Sequence, residues 1–297
     1  MSIVRYKVTE AGNGVKIRDY MKDELNLSGR FIRNSAMGQR LMVNGKEVRL
    51  SYKLSEGEEI QVKVTKEENQ DIQGENLNIQ VVYEDDDLLI VNKPPFMVVH
   101  PTKSHPTGTL ANGVIYHFRQ NKDNSIVRLV SRLDRDTSGL IMIAKNQFSH
   151  MSLAKSMEQN LIEKSYLAIV HGHLKEKKGT INRPIGRPTN ETIKRAVLED
   201  GQESITHYKV IDEYQEGSLV QLLLETGRTH QIRVHLSHEG NPIYGESLYS
   251  EFNDEELIHR QALHAFRLKL PHPRSRQILE FHCEMPEDMK KLVESLK

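Results

Sequence analysis

A short polar stretch divides the chain and limits what it can fold into. Residues 66–78 read KEENQDIQGENLN, with only Ile72 and Leu77 as large apolar side chains. Such a segment has no apolar face to bury, so it predicts a linker. We therefore expect a small unit over residues 1–65 and a larger one over 79–297, each long enough to bury a core.

The small unit has the pattern of two helices followed by strands. Apolar residues have helical spacing over 17–25, and Ser28 is placed to cap a second helix. The turn Asn44-Gly45 lies between the runs LMV and KEVRL, which predicts a hairpin, and IQVKV adds a further strand.

The larger unit has short strands in adjacent runs with few helices between them. An acidic turn at 84–87 separates IQVVY from LLIVN and predicts a hairpin. Further strands are expected at 139–144, 165–171, 204–211, 218–225, 262–270 and 277–283, and helices at 109–119, 146–161, 229–239 and from 287 onward. This order predicts an α+β fold whose larger sheet is mostly antiparallel (mixed), with flanking helices.

The charge balance is neutral overall but uneven along the chain. Residues 1–65 carry 12 basic and 8 acidic side chains, and residues 88–297 carry 28 and 25, so a polyanionic partner is neither required nor excluded. The single Cys283 excludes an intrachain disulfide. We find no long apolar run and no apolar stretch at the amino terminus, and expect a soluble, cytoplasmic, monomeric protein without membrane contact.

The densest group of chemically active side chains is RLVSRLDRDTSGL, residues 128–140. Asp134 lies between Arg132 and Arg135, and neighbouring guanidinium groups favour an ionised carboxylate and also bind phosphates. Thr137 is placed to fix that carboxylate through its hydroxyl. A polar surface loop with incidental ion pairs gives the same pattern, so the residues alone leave both interpretations open.

Three other segments supply candidate ligand-binding groups. In TGRTHQIRVHL, Arg228 and His230 stand where a strand turns into a helix, a position that favours an anion. In KSYLAIV, Tyr166 opens a strand and offers either a core ring or a surface for a nucleobase. In NKPPFMVVHP, rigid prolines separate Lys93 from His100, and both are predicted to face a cleft.

Together and in this order, these segments resemble the RluA-type pseudouridine synthase family, which isomerises uridines in ribosomal or transfer RNA. RLDRDTSGL resembles the catalytic motif, KSYLAIV the tyrosine segment, TGRTHQIRVHL the arginine segment, and NKPPFMVVHP and HAFRLKLPHP the flanking signatures. Two positions depart from the usual pattern: Ser131 stands where many members have His, and Phe96 where Gly is frequent.

The resemblance implies roles for these residues. Asp134 would be the nucleophile, attacking either the ribose or the uracil ring, Arg228 would pair with it, and Tyr166 would stack on the flipped base and assist removal of the carbon-5 proton. The remaining substrate contacts are predicted at Arg132, Arg135, Lys93, His100, Thr137 and His230. The reaction is an isomerisation, so no cofactor and no metal is expected.

Residues 1–65 resemble the small RNA-binding domain named after ribosomal protein S-four, chiefly in VNGKEV and YKLSEGEEI. The resemblance implies RNA as partner, ribosomal more than transfer RNA. The expected phosphate contacts are Arg30, Arg33, Arg40 and Lys46.

Two other classes of function fit parts of the sequence. Residues 134–137, Asp-Arg-Asp-Thr, resemble the D-x-D-x-T pattern of a magnesium-dependent phosphatase, but an apolar parallel strand does not precede them. A non-catalytic RNA-binding or ribosome-assembly factor would use the same basic residues without needing Asp134.

Overall fold

The computed structural model describes residues 3–25, 27–64, 70–189 and 193–297. Its strands are β1 Ile3–Lys7, β2 Leu41–Val43, β3 Lys46–Glu47, β4 Glu59–Lys63, β5 Gln80–Glu84, β6 Leu88–Lys93, β7 Arg128–Leu129, β8 Ser138–Ala144, β9 Glu163–His171, β10 Lys178–Asn182, β11 Ile185–Gly186, β12 Ala196–Val197, β13 Ile205–Glu213, β14 Gly217–Leu224, β15 Leu263–Pro271 and β16 Ile278–His282. Its helices are α1 Ile17–Asp23, α2 Gly29–Met37, α3 Leu110–Gln120, α4 Gln147–Glu158, α5 Gln231–His238 and α6 Glu287–Leu296, with a 3₁₀ turn at Glu10–Gly12.

Strands β1 to β4 form an antiparallel sheet, ordered β1-β4-β2-β3, packed against α1 and α2. The hairpin between β2 and β3 is confirmed: Asn44 and Gly45 both have positive φ, as a type I′ turn requires. The predicted cap is also present, since Ser28 Oγ accepts a hydrogen bond from the Phe31 amide at 3.2 Å.

Ten of the remaining strands form a second sheet, ordered β10-β13-β14-β9-β15-β8-β6-β5, with β16 beside β15 and β7 beside β8, and β11 and β12 pair with each other in a separate small sheet. Its pairs are antiparallel except for β8 and β15, so the predicted mostly antiparallel α+β fold is confirmed. The strands and helices expected from 139 onward are present. The sequence analysis missed β1, which precedes the two helices of the small unit, and it missed β7, β10, β11 and β12 because these short strands carry no apolar alternation.

The parallel pair joins the two halves of this sheet and depends on Gly139. Its φ of +114° is rare for residues with a side chain, and a Cβ built there would lie 2.3 Å from the Ala265 carbonyl oxygen. Only glycine permits this approach of β8 to β15. The loop that precedes β8, residues 134–137, is thereby fixed beside the middle of the sheet.

Helix α4 connects the core of the first sheet to the second sheet. Phe148 is buried among the apolar side chains of the first 64 residues, with its ring centroid 6.2 Å from that of Phe31. Residues 66–69 of the predicted linker lie outside the described residues. Its remainder has neither helix nor strand, but Ile72 is buried and the Gln70 amide bonds both backbone groups of Val127, so this part is fixed against the second sheet.

None of the helices in the described ranges is long and apolar enough to cross a membrane.

Candidate active site

Asp134 occupies the start of the tight turn that leads into β8. The Thr137 amide donates to the Asp134 carbonyl at 3.2 Å, as a turn before a strand requires. The Asp134 side chain is 28% exposed, and its carboxylate lies 3.0 Å from Arg233 Nη1 and 3.8 Å from His230 Nε2. The carboxylate therefore faces solvent on one side and a fixed guanidinium on the other.

The prediction that Arg228 pairs with Asp134 is wrong. Arg228 belongs to the exposed turn before α5, and its Nε donates to the Glu203 carbonyl at 3.0 Å. Arg233, the third residue of α5, makes the pair instead. The motif TGRTHQIRVHL contains both arginines, and Arg233 makes the pair because the helix turns its side chain towards the protein interior.

Arg233 is buried, and Glu246 balances its charge. Two parallel hydrogen bonds of 2.6 and 2.7 Å join its Nε and Nη2 to the Glu246 carboxylate, which is fully buried. Burial by itself would lower the pKa of Arg233, but the carboxylates of Glu246 and Asp134 outweigh it and raise that pKa. The sequence analysis missed Arg233 and Glu246. An arginine on a buried helix could have indicated them, because a buried guanidinium needs an acidic partner.

The predicted arrangement of Asp134 between two arginines also needs correction. Arg135 pairs with the next carboxylate, Asp136, through hydrogen bonds of 2.8 and 3.0 Å, although it stays largely exposed. Arg132 lies exposed at the rim of the site. Neighbours in an extended loop point in different directions, so sequence adjacency did not bring Arg135 to Asp134.

Lys93 does not face a cleft, contrary to the prediction. It is fully buried, and its Nζ donates to three backbone carbonyls: Pro94 at 2.8 Å, Met97 at 2.9 Å and Arg135 at 2.9 Å. Burial lowers its pKa to about 7, against the opposing effect of Asp136 and Asp134. A single ammonium group thus ties the loop after β6 to the loop that carries Asp134.

Two polar side chains from the segment before β15 hold the next residues of this loop. Arg260 Nη1 donates to the Asp136 carbonyl at 3.2 Å, and its other nitrogens pair with Asp288 of α6 at 2.6 and 2.9 Å. Gln261 Nε2 donates to Thr137 Oγ1 at 3.2 Å. Buried Thr137 is therefore bonded to the protein, where the sequence predicted a hydroxyl turned to the carboxylate.

A buried chain of hydrogen bonds continues from this loop. Ser138 Oγ and His264 Nδ1 lie 2.9 Å apart, and His264 Nε2 lies 3.2 Å from Cys283 Sγ. Burial, together with the charge of Arg260, lowers the pKa of His264 to about 4. The imidazole is neutral at pH 7 and acts as a rigid link between β8, β15 and the end of β16.

A pocket of about 330 Å³ opens beside the Asp134 carboxylate. Polar side chains that include Arg132, Lys164 and Arg233 line part of it, and its apolar wall is formed by Leu129, Val130, Leu133, Met157, Tyr166, Leu224, Ile232 and Leu263. Burial, and then the negative charge of Asp134, raises the pKa of Tyr166, so its phenol stays protonated at neutral pH. The pocket has the size and the apolar lining of a site for a flat organic ring.

A wider groove of about 860 Å³ shares Asp134 with this pocket and is lined by arginines. Its cationic lining residues are Arg132, Arg135, Arg187, Arg195 and Arg228, and the side chains of His100 and His230 also line it. The sequence analysis missed Arg187 and Arg195, which flank β11 and β12 and reach the groove only through the fold. Clustered guanidinium groups beside an apolar pocket suit a ligand that combines a ring with phosphates.

His230 connects the groove to the buried pair beneath it. It adopts a left-handed conformation (φ +57°) at the start of α5, and its Nδ1 lies 2.6 Å from Tyr249 Oη. That hydroxyl also accepts the Arg195 amide at 2.9 Å, and the Tyr249 ring lies 5.3 Å from the Arg233 guanidinium. Burial lowers the pKa of His230, which Asp134 partly opposes.

The four basic residues singled out near the amino terminus lie away from this pocket. Arg30 and Arg33 are exposed on α2, one helical turn apart, and Lys46 is exposed on β3. Arg40 is half-buried, and its guanidinium donates to the backbone carbonyls of Asn34 and Lys63 at 2.9 and 3.4 Å. Arg40 thus helps to hold α2 against β4.

We predict that His264 makes stability depend on pH. The folded protein binds a proton on this imidazole only near pH 4, whereas the ordinary value is 6.5. The stabilisation that neutral His264 contributes to the folded protein is therefore complete above pH 6.5 and is lost as the pH falls towards 4. Between about pH 7 and 4.5, wild type should lose about 2–3 kcal/mol more unfolding free energy than His264→Gln, measured by urea titration. Equal losses would contradict the assignment.

Comparison with known proteins identifies the class of site. A family model described as RNA pseudouridylate synthase matches residues 87–238. A protein of Bacillus subtilis (strain 168), titled uncharacterized RNA pseudouridine synthase, is 39% identical over 272 residues, covering 91% of this chain and 95% of the relative. Ribosomal large subunit pseudouridine synthase D of Escherichia coli (strain K12) is 34% identical over 279 residues, 90% of this chain and 85% of the relative.

A solved structure leads to the same family. Human RNA pseudouridylate synthase domain containing 1 has a TM-score of 0.59 and 28% identity, and the match covers 75% of this chain and 96% of that one. The predicted catalytic motif lies inside the matched region, on the loop that four buried side chains hold beside the pocket. This chain belongs to the RluA-type family of RNA pseudouridine synthases, and it is an enzyme of that family.

Proposed function

We propose that the protein isomerises specific uridines of large-subunit ribosomal RNA, with Asp134 as the reacting carboxylate. The observation that carries the proposal is the Asp134 carboxylate, held at 3.0 Å by a buried arginine beside a pocket with an apolar wall. The RNA class rests on relatives from four further species, each titled ribosomal large subunit pseudouridine synthase D.

The chemistry explains why the pocket and the groove lie together. A uridine must leave its stack before its glycosidic bond can be reached, so the base enters the pocket while its phosphates stay outside. The bond from N1 to C1′ breaks, the base turns, and a bond from C5 to C1′ forms. The C5 proton leaves and N1 gains one, so atoms balance with no redox change and no cofactor.

Asp134 would divide this exchange into two easier steps. Its carboxylate attacks either the ribose C1′ or the uracil ring, and the covalent adduct gives the base freedom to turn. Arg233 supports the attack because a charge-assisted hydrogen bond holds the carboxylate ionised and oriented. Arg233 itself is fixed by Glu246, so the pair need not reorganise during the reaction.

Tyr166 would position the detached base. Its ring lies in the wall of the pocket, where an aromatic face stacks on uracil. The raised pKa keeps the phenol protonated, and a protonated phenol cannot accept the C5 proton. We therefore propose that Tyr166 mainly positions the base and that any role in removing the C5 proton is secondary.

The basic groove and the amino-terminal unit would hold the rest of the RNA. In the groove, the exposed Arg132, Arg187 and Arg228 suit the phosphates on both sides of the flipped nucleotide. We further propose that residues 1–65 form an RNA-binding domain like that of ribosomal protein S-four. Arg30, Arg33 and Lys46 are its exposed cations, and Arg40 would contribute less because its guanidinium also binds backbone carbonyls.

Mapping pseudouridine in cells tests the proposed function. We expect deletion of the gene to remove pseudouridine at discrete positions of large-subunit ribosomal RNA, wild type to restore them, and Asp134→Asn to leave them unmodified. Loss in transfer RNA instead would overturn the substrate class. Restoration by Asp134→Asn would overturn the catalytic assignment, and no lost position would favour a binding-only role.

Lys93 should affect the rate of reaction more than RNA binding. In Lys93→Met three backbone carbonyls lose their donor, and any of them that water does not reach costs about 1–3 kcal/mol when left unsatisfied. The loop carrying Asp134 is then no longer held in position, so we expect kcat to fall about tenfold or more while KM changes less than about threefold. Steady-state kinetics on ribosomal RNA measures both values.

Lys145 is the matched control for this variant. It is also a buried lysine, but its Nζ pairs with Glu84 at 2.7 Å and Asp123 at 2.8 Å, at the far end of β8. Lys145→Met should lower the free energy of unfolding with kcat unchanged. If both variants lose kcat in proportion to stability, Lys93 has no special link to the site.

A further inference from the structure

The loop after β6 carries an aromatic residue in an unfavourable conformation. Pro95 and Phe96 form a turn in which Phe96 has φ +63°, a value that glycine or asparagine ordinarily supplies. A residue with a bulky side chain is strained there. The Phe96 side chain is also 57% exposed, so packing against the folded chain does not offset the strain. Strain of this kind suggests a role in binding.

The turn that carries Phe96 is fixed to the catalytic loop. Lys93 Nζ donates hydrogen bonds to the carbonyls of Pro94 and Met97, on either side of Phe96. It donates a third hydrogen bond to the carbonyl of Arg135. The backbone beside Phe96 and the backbone one residue after Asp134 thus share a single ammonium group. Two prolines before Phe96 further restrict the turn, so the ring is presented on a rigid support.

The chain continues from this turn into the basic groove. Val98, Val99 and His100 line the groove together with arginines that include Arg187 and Arg195. A rigid aromatic ring at the edge of a cationic groove is the combination that binds unstacked nucleic acid, because cations hold the backbone and the ring stacks on a base. The charge of the groove argues against an apolar peptide as the occupant.

We propose that Phe96 is a stacking platform for an unpaired nucleobase of the RNA, near the uridine that enters the pocket. The proposal rests on the proposed function, since it takes RNA as the occupant of the groove. It assigns to Phe96 a share of substrate recognition: the enzyme would prefer a target whose neighbouring nucleotide is free to leave its stack.

Binding of single-stranded and duplex RNA separates stacking from phosphate contact. The probes are an oligouridylate of about 12 nucleotides and the same strand annealed to oligoadenylate. Phe96→Gly should weaken binding of the single strand about 5- to 100-fold and leave duplex binding within about twofold. Phe96→Tyr keeps a ring and should bind like wild type. Equal affinity of Phe96→Gly and wild type for the single strand would overturn the proposal.

Stability provides the control for a structural role. Glycine relieves the positive φ, so the urea midpoint of Phe96→Gly should equal or exceed that of wild type. A lower midpoint together with weaker duplex binding would mean that Phe96 supports the fold, which would also overturn the proposal.

The experiments distinguish a failure of the proposed function from a failure of the stacking role of Phe96. If wild type forms no pseudouridine in large-subunit ribosomal RNA, the proposed function fails, and the oligouridylate comparison still decides the role of Phe96. If wild type is active and Phe96→Gly has the same KM on that RNA and the same affinity for the single strand, only the stacking platform fails.

Discussion

The site depends on the buried guanidinium of Arg233, which donates hydrogen bonds to two carboxylates. Arg233 is anchored by two short hydrogen bonds to Glu246 and extends its third nitrogen to Asp134. Burying these charges is costly unless each has a partner, and a geometry with two anchoring bonds leaves Arg233 little freedom. Asp134 is therefore held by a group that cannot turn away, while its other side stays open to the pocket.

The backbone around Asp134 is fixed just as firmly as its carboxylate. Lys93, Arg260, Gln261 and His264 bond in turn to Arg135, Asp136, Thr137 and Ser138, one contact for each successive residue of the loop. These side chains come from β6, from the segment before β15 and from β15 itself. The largest sheet thus positions the loop from both sides, and the close approach at Gly139 brings those strands together.

The sequence predicted the fold class and the strand order along the chain well, because long apolar strands such as β8 and β14 have a strong pattern. It also predicted the segments that form the site. It failed to predict which way a charged side chain points and which group it contacts: Lys93, at the end of β6, is buried, and Arg135 pairs with Asp136. Arg228 and Arg233 are five residues apart in one motif, and only the packed helix separates their roles.

The central claim is that Arg233, not Arg228, prepares Asp134 for the reaction. The direct test is the single-turnover rate at saturating RNA for Arg233→Met combined with Glu246→Gln, a pair that leaves no buried charge unpaired. We expect the rate to fall about 100-fold or more with RNA affinity within about threefold, and Arg228→Met to keep the wild-type rate while binding RNA more weakly. A wild-type rate in the double variant, or a lost rate in Arg228→Met, would contradict the account.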